Sequence, residues 1–350
     1  MSVKHVLLAA AAIAMASPVL AQSGPLAVNS LTGTFRNPNV NGVFPGYVNG
    51  VAQEWSARYG QFGAEFAQTS WVDSLTIHQY SADDRKPIKT CEVWANGVYL
   101  GDVTLADAYQ QTVDFTAYDW YRPILANYMT LVVKSHYTDG HAGASDAGLV
   151  SYSFNGTATG AVEVNLNQSA VRTTNAVTYT GGWTPADTGP WGWDVVRNGS
   201  LFTTHRDASP DTGYVYCNHN VSDMSVTVWY DAPQSIGSIG LAVAGGEQYG
   251  DRDLPYYVTV IGSEDGQEAI IDLNGWLTQY NRYDLPEAFA AGTEFLTILY
   301  PNHSSDWGWG GDSNYCLIEF QAFAGKVVPI PEPLTMSLLV LGGLALWRRK

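Results

Sequence analysis

Cysteine is scarce, three in 350 residues, which excludes the disulfide framework that staples small secreted domains. Positive charge is scarce too: 17 Lys and Arg stand against 33 Asp and Glu, a net charge of −16. A surface of that sign repels nucleic acid and anionic lipid, so neither is expected as a partner. Charged residues make up only 14% of the chain and hydrophobic ones 46%, too apolar a balance for a disordered protein. No long stretch with a 3.6-residue apolar period lies between the termini, which excludes a helical bundle. Apolar runs stay short of the roughly 20 residues that span a bilayer comfortably.

Complete catalytic signatures are also lacking. Gly143-Ala144-Ser145-Asp146-Ala147 misses the last glycine of a nucleophile elbow, and no strand–turn–helix pattern surrounds it. His205-Arg206-Asp207 resembles a kinase catalytic triplet in letters only, because no Gly-rich loop or metal-binding Asp motif accompanies it. His136 and His141 are not spaced as zinc ligands on a regular element. No EF-hand loop is written in the chain. A pair of glycosidase carboxylates is defined by separation in space, so its absence is not readable here.

What the sequence does have is aromatic residues and glycine: 12 Trp, 21 Tyr and 35 Gly. Low charge, many aromatics and many turn formers point to an all-β protein. Alternating segments bounded by Gly, Asn, Asp or Pro support this, among them 74–78, 129–133, 225–229, 257–261 and 317–323. A short helical turn is expected around Leu285 to Ala290. Cys91 sits inside the alternating Lys89-Thr90-Cys91-Glu92-Val93-Trp94, which reads as a buried small hydrophobe on a strand.

The order of segments occurs twice. Ser74-Leu75-Thr76-Ile77, then Asp84-Arg85-Lys86-Pro87, a strand to Trp94 and Asn96-Gly97 form the first copy. Ser238-Ile239-Gly240-Leu241, then Asp251-Arg252-Asp253-Leu254-Pro255, a strand to Ile261 and Asp265-Gly266 form the second. Thr130–Val133 followed by 149–156 matches Phe295–Ile298 followed by 317–325. Two tandem units are expected, 27–156 and 165–325, with the Gly-Ala-Thr-rich 157–164 as linker.

The termini read as addresses. Residues 1–21 have a lightly basic start, an apolar stretch and a small-residue exit at Val19-Leu20-Ala21, the pattern of a signal peptide cleaved after Ala21. The other end runs Pro331-Glu332-Pro333, an apolar stretch 334–347, then Arg348-Arg349-Lys350. The prolines block helix extension upstream, and the basic cluster belongs on the cytoplasmic side of a membrane. The first 21 residues hold one Lys and no acid, and the tail from Pro331 holds three basic residues and one Glu. The body between them therefore carries 32 acids against 13 bases, a net of −19.

The tail, about 328–350, resembles the PEP-CTERM sorting signal of Gram-negative, exopolysaccharide-producing bacteria. That resemblance implies a transient inner-membrane helix over 334–347, processing near Pro331-Glu332-Pro333 by an exosortase, and delivery to the cell surface or extracellular matrix. The order of strands, with the pair Ser238–Leu241 and Tyr257–Ile261, the Asp265-Gly266 turn and the closing Leu317-Ile318-Glu319-Phe320, resembles the galactose-binding-like, or discoidin-like, jelly roll. That resemblance implies tandem jelly-roll β-sandwiches with any ligand held by loops at one end.

Two Gly-flanked Trp loops fit such a ligand. One carries Trp191 and Trp193; the other runs Asp306-Trp307-Gly308-Trp309-Gly310-Gly311-Asp312. An exposed indole stacks on the apolar face of a sugar ring, while Arg206, Arg252, Asp306 and Asp312 would bond its hydroxyls. The alternative is that these tryptophans close the ends of the sandwich. A weaker set, Trp55, Arg58, Tyr59, Asp84, Arg85 and His136, occupies the first unit. Cys217 and Cys316 are a candidate bridge in an oxidising compartment. No cofactor is implied, although the acidic surface suits structural calcium. The leading function is a non-catalytic, exported protein that binds extracellular polysaccharide. A structural or adhesion protein without a small ligand stands second, and a polysaccharide-acting enzyme third.

Overall fold

The computed structural model describes residues 24–33, 39–40, 61–79, 85–137, 146–179, 197, 215–217, 221–244, 257–273, 280–300 and 315–329. Among these residues the chain is all-β, with three short 3-10 turns and no α-helix. The signal peptide, the Pro331-Glu332-Pro333 motif and the expected helix over 334–347 lie outside the described residues.

The first unit contains β1 (Gly24–Pro25), β2 (Val28–Gly33), β3 (Asn39–Val40), β4 (Gln61–Gln79), β5 (Arg85–Ala95), β6 (Val98–Thr104), β7 (Gln110–Asp114), β8 (Ile124–His136) and β9 (Asp146–Val162). The 19-residue β4 organises it. Its first residues pair with β2 on one side and β8 on the other. Its last residues pair with β7 and β9. A register break between Glu65 and Ser70 lets the strand serve both groups. β5 pairs with β8 along most of its length, and its first three residues run parallel to β9, Arg85 opposite Asp146. The path β4–β8–β5–β9–β4 is thereby closed around one apolar core that includes Phe62, Ile77, Cys91, Leu131 and Phe154. Cys91 is fully buried on β5, as its alternating context predicts. Asn96 and Gly97 both have positive φ, 48° and 76°, the geometry a two-residue hairpin needs between β5 and β6.

The second unit contains β10 (Arg172–Tyr179), β11 (Val215–Cys217), β12 (Val221–Gln234), β13 (Ser238–Ala244), β14 (Tyr257–Ile261), β15 (Glu268–Asp272), β16 (Tyr280–Asp284), β17 (Thr293–Tyr300) and β18 (Tyr315–Phe323). It has two antiparallel sheets, β10-β12-β17-β14-β15 and β11-β18-β13-β16. Every second residue of the five-stranded sheet turns inward: Val226 and Val228, Val258 and Val260, Leu296 and Ile298 are all buried. They meet Ile239, Leu241, Leu317 and Phe320 of the four-stranded sheet in one core. The helical turn expected near Leu285–Ala290 is a 3-10 turn over Glu287–Ala291 that seats Phe289 in this core.

The pairing pattern of one unit recurs in the other. β13–β18, β13–β16, β14–β15 and β14–β17 stand where β4–β9, β4–β7, β5–β6 and β5–β8 stand in the first unit. One difference is that β4 runs unbroken where the second unit has β12 and β13, separated by 235–237. A second concerns the segment expected as linker over 157–164. β9 continues through it to Val162 and stays paired with β4, Ser70 opposite Ala158 and Gln68 opposite Val162. Gly-Ala-Thr composition suggests a loose connection, but the long β4 offers an edge that extends the ladder.

The two units touch. In β4 residues 61–66, in β13 residues 238–242 and in β18 residues 319–323 are buried without alternation. These strands are covered on both faces, by their own core on one side and by the other unit on the opposite side.

Candidate functional site

The register of the second sandwich gathers its long connections at one end. In the five-stranded sheet, Tyr179 stands opposite Val221, Met224 opposite Tyr300 and Tyr257 opposite Asp272. The end of β10, the start of β12, the end of β17, the start of β14 and the end of β15 therefore lie together. In the four-stranded sheet, Cys217 stands opposite Tyr315, Ala244 opposite Cys316 and Ala242 opposite Tyr280. That places the end of β11, the start of β18, the end of β13 and the start of β16 together. The strand ends that flank 245–256, 274–279 and 301–314 lie at this end, as does the end of β10 that precedes 180–214.

The candidate residues belong to those segments. Trp191, Trp193 and Arg206 fall in 180–214, Arg252 in 245–256, and Asp306, Trp307, Trp309 and Asp312 in 301–314. All eight lie outside the described residues; the described strand ends next to them in sequence lie at one end of one sandwich.

The opposite end is short and sealed. Gln267 donates from Nε2 to the carbonyls of Ala288 (3.0 Å) and Gly292 (3.1 Å). Leu285 and Phe289 fill the space beneath and are buried.

In the first unit, Trp55, Arg58, Tyr59 and Asp84 lie outside the described residues. His136 ends β8, partly buried, with Nδ1 3.4 Å from the Tyr137 carbonyl. Among the described residues no three His, Cys, Asp or Glu gather as a metal site. Cys217 and Cys316 lie on the paired strands β11 and β18, one position out of register, since Cys217 faces Tyr315 and Cys316 faces Tyr216.

A polar cluster that sequence patterning does not reveal lies at the junction of the two units. Glu65 of β4 is 4% exposed and accepts from Gln321 Nε2 of β18 at 3.3 Å. Gln321 Oε1 in turn accepts from the Tyr280 hydroxyl at 2.6 Å. The Tyr280 and Tyr128 rings meet edge to face, centroids 4.9 Å apart, across the boundary. The Tyr128 hydroxyl accepts from the Arg282 amide at 3.1 Å. The Arg282 guanidinium pairs with Glu163, donates to Ser238 Oγ at 3.3 Å and lies 3.7 Å over the Phe323 ring. Burial pushes the Glu65 carboxyl up to about 7, against the opposing pull of Arg282.

Beside this cluster, two buried asparagines of the first unit hold one residue that follows β18. Asn96 Nδ2 donates to the Val328 carbonyl at 2.7 Å, and the Val328 amide donates to Asn127 Oδ1 at 3.3 Å. The Val327 amide donates to Asp284 at 2.7 Å. Nothing in the sequence signals the junction: Glu319-Phe320-Gln321 alternates like a half-exposed strand, and only the structure shows polar and apolar residues buried side by side.

No protein-family model matches the chain, and no curated protein matches it. Solved structures do align. A fucolectin from striped bass (Morone saxatilis) serum aligns at 12% identity over 85% of this chain and 96% of its own, with a TM-score of 0.28. The CBM32-1 and CBM32-2 domains of Clostridium perfringens ZmpB, in complex with GalNAc, align at 6% identity over 76% of this chain and 80% of theirs, TM-score 0.30. The family 32 module of C. perfringens NanJ, in complex with galactose, aligns at 15% identity over 38% of this chain and 98% of its own, TM-score 0.28. At these scores the likenesses carry no inference about ligand, and the architecture stands on its own strand pairing.

Proposed function

We propose that this is an exported, non-catalytic protein of galactose-binding-like architecture that binds extracellular polysaccharide through the loop-bearing end of its second sandwich. The observation that carries the reading is the convergence of the strand ends that bear Trp191, Trp193, Trp307, Trp309, Arg206, Arg252, Asp306 and Asp312. Four tryptophans in glycine-flanked segments, with two arginines and two aspartates near them in sequence, supply what a neutral sugar needs: flat apolar faces and donors and acceptors for hydroxyls. The acidic body favours an uncharged polymer over an anionic one.

The same reading assigns the chain to the surface or matrix of a Gram-negative bacterium. The signal peptide at 1–21 exports it, the helix over 334–347 holds it briefly in the inner membrane, and an exosortase acts near Pro331-Glu332-Pro333. Support for this comes from the sequence of the tail alone. A glycan array probed with the exported protein, with and without calcium, tests the binding reading. Binding to neutral polysaccharides is expected. Silence across the array under both conditions overturns it in favour of a structural or adhesion role without a sugar ligand.

A further inference from the structure

The junction between the two sandwiches is built from groups that single-sandwich domains have no reason to bury. Glu65, Asn96, Asn127 and Tyr128 from the first unit and Ser238, Tyr280, Asn281, Arg282 and Gln321 from the second are all at most 9% exposed. Burying so much polar surface is tolerated only when each group is paired. Most are, but the supply of positive charge is limited. The cluster holds one guanidinium and two carboxylates that compete for it. Arg282 is engaged by Glu163, which is itself 20% exposed. Glu65 accepts from the Gln321 amide at 3.3 Å and from the Tyr280 hydroxyl, both neutral donors, and shares the pull of Arg282 with Glu163.

The groups facing Glu65 can be followed element by element. β16 brings Arg282 and Tyr280, β18 brings Gln321 and, two residues away, Glu319, and the segment after β9 brings Glu163. β8 brings Tyr128. β2, paired with β4 on its other edge, brings no titratable residue. With Glu65 protonated, Arg282 has Glu163 as its one ion-pair partner in the cluster, and Glu319 is held by the Asn165 amide. With Glu65 ionised, the same volume carries one more negative charge, facing two neutral donors, Gln321 and Tyr280, and a guanidinium already paired with Glu163. Unpaired buried charge is among the costliest arrangements in a protein. The cheapest relief is local. Glu65 sits on the outer face of a sandwich whose own core is apolar and separate, so water reaches it when the units part and neither core need open.

We infer that docking of the two sandwiches is proton-dependent: the junction is closed while Glu65 is protonated and opens when Glu65 ionises. The raised affinity of this carboxyl for its proton puts the transition near neutral pH. Below that pH the two sandwiches move as one body, with Val328 held between Asn96 and Asn127. Above it they are joined by the covalent connection between β9 and β10 and move separately.

Small-angle X-ray scattering of the full chain between pH 5 and 9 tests this, with hydrogen exchange at the Val327 and Val328 amides as a second readout. The wild type should show a larger radius of gyration at pH 9 than at pH 5, and lower protection factors at those amides, each exchange rate being taken relative to the intrinsic base-catalysed rate at the same pH. Glu65→Gln keeps the shape and removes the proton, so both readouts should stay at their acidic values throughout. Gln321→Met removes one of the donors to Glu65 and should shift the opening to lower pH if the variant docks at all. A wild type with identical scattering and identical protection factors at both pH values overturns the inference. So does a Glu65→Gln variant that opens over the same pH range as the wild type.

Discussion

Substituting Glu65 with glutamine should stabilise the protein at alkaline pH and do progressively less as the pH falls. The carboxyl is almost completely buried, and burial raises it from 4.5 to about 7. Its folded value lies above its unfolded one, so the folded state holds a proton that the unfolded state has released across that interval. Stability from this group is therefore fully present below about pH 4.5 and is lost as pH rises toward 7. One pKa unit corresponds to about 1.4 kcal/mol, so the loss between pH 4 and pH 8 amounts to about 3 kcal/mol. Glutamine has the same shape and no charge to desolvate, so its stability lacks this slope. Denaturant unfolding at pH 4, 6 and 8 measures the difference between the two proteins, and titrations elsewhere in the chain cancel because both share them. The gap should widen by about 3 kcal/mol toward alkaline pH, in favour of glutamine. A gap that stays constant, or that favours glutamate at pH 8, would refute the reasoning and mean that Arg282 or water stabilises the ionised form.

Other expectations concern the residues around and beyond the described strands. Changing Trp307 and Trp309 together to alanine should weaken glycan binding about tenfold, a loss of about 1.4 kcal/mol, with little change in melting temperature; collapse of thermal stability instead would make these tryptophans packing residues. Replacing Pro331-Glu332-Pro333 by alanines should leave the chain unprocessed and membrane-held in cell fractions, and unchanged mass and location would remove the sorting reading. Non-reduced peptide mapping after export should return Cys91 as a free thiol, since its side chain is fully buried and burial pushes the thiol up. A linked Cys217–Cys316 peptide in the same map is the signature of the proposed bridge, which takes a one-residue slip of β11 against β18; two alkylated peptides would remove it.

Much of the local architecture is legible in the residues themselves. Period-two alternation marks Val226, Val228, Leu296 and Ile298 as inward-facing, because in a half-buried strand each side chain has one fixed face. Asn96-Gly97 announces a hairpin because the turn needs two residues tolerant of positive φ. The doubled order of strands is readable for the same reason, since each copy repeats its own turns and alternations.

What the sequence alone leaves undecided depends on partners far away in the chain. The linker composition of 157–164 points to a loop, yet the segment is strand as far as Val162 because β4, about 90 residues earlier, offers it an edge. The pairing of Glu65 with Gln321, 256 residues apart, has no local pattern to betray it. Here periodicity fails because both faces of β13 and β18 are covered, so buried polar and buried apolar residues alternate where a solvent face would otherwise stand. The Trp and Arg segments could be named from composition. That their strands open at the same end is a property of antiparallel register between two sheets, and only the tertiary structure fixes it.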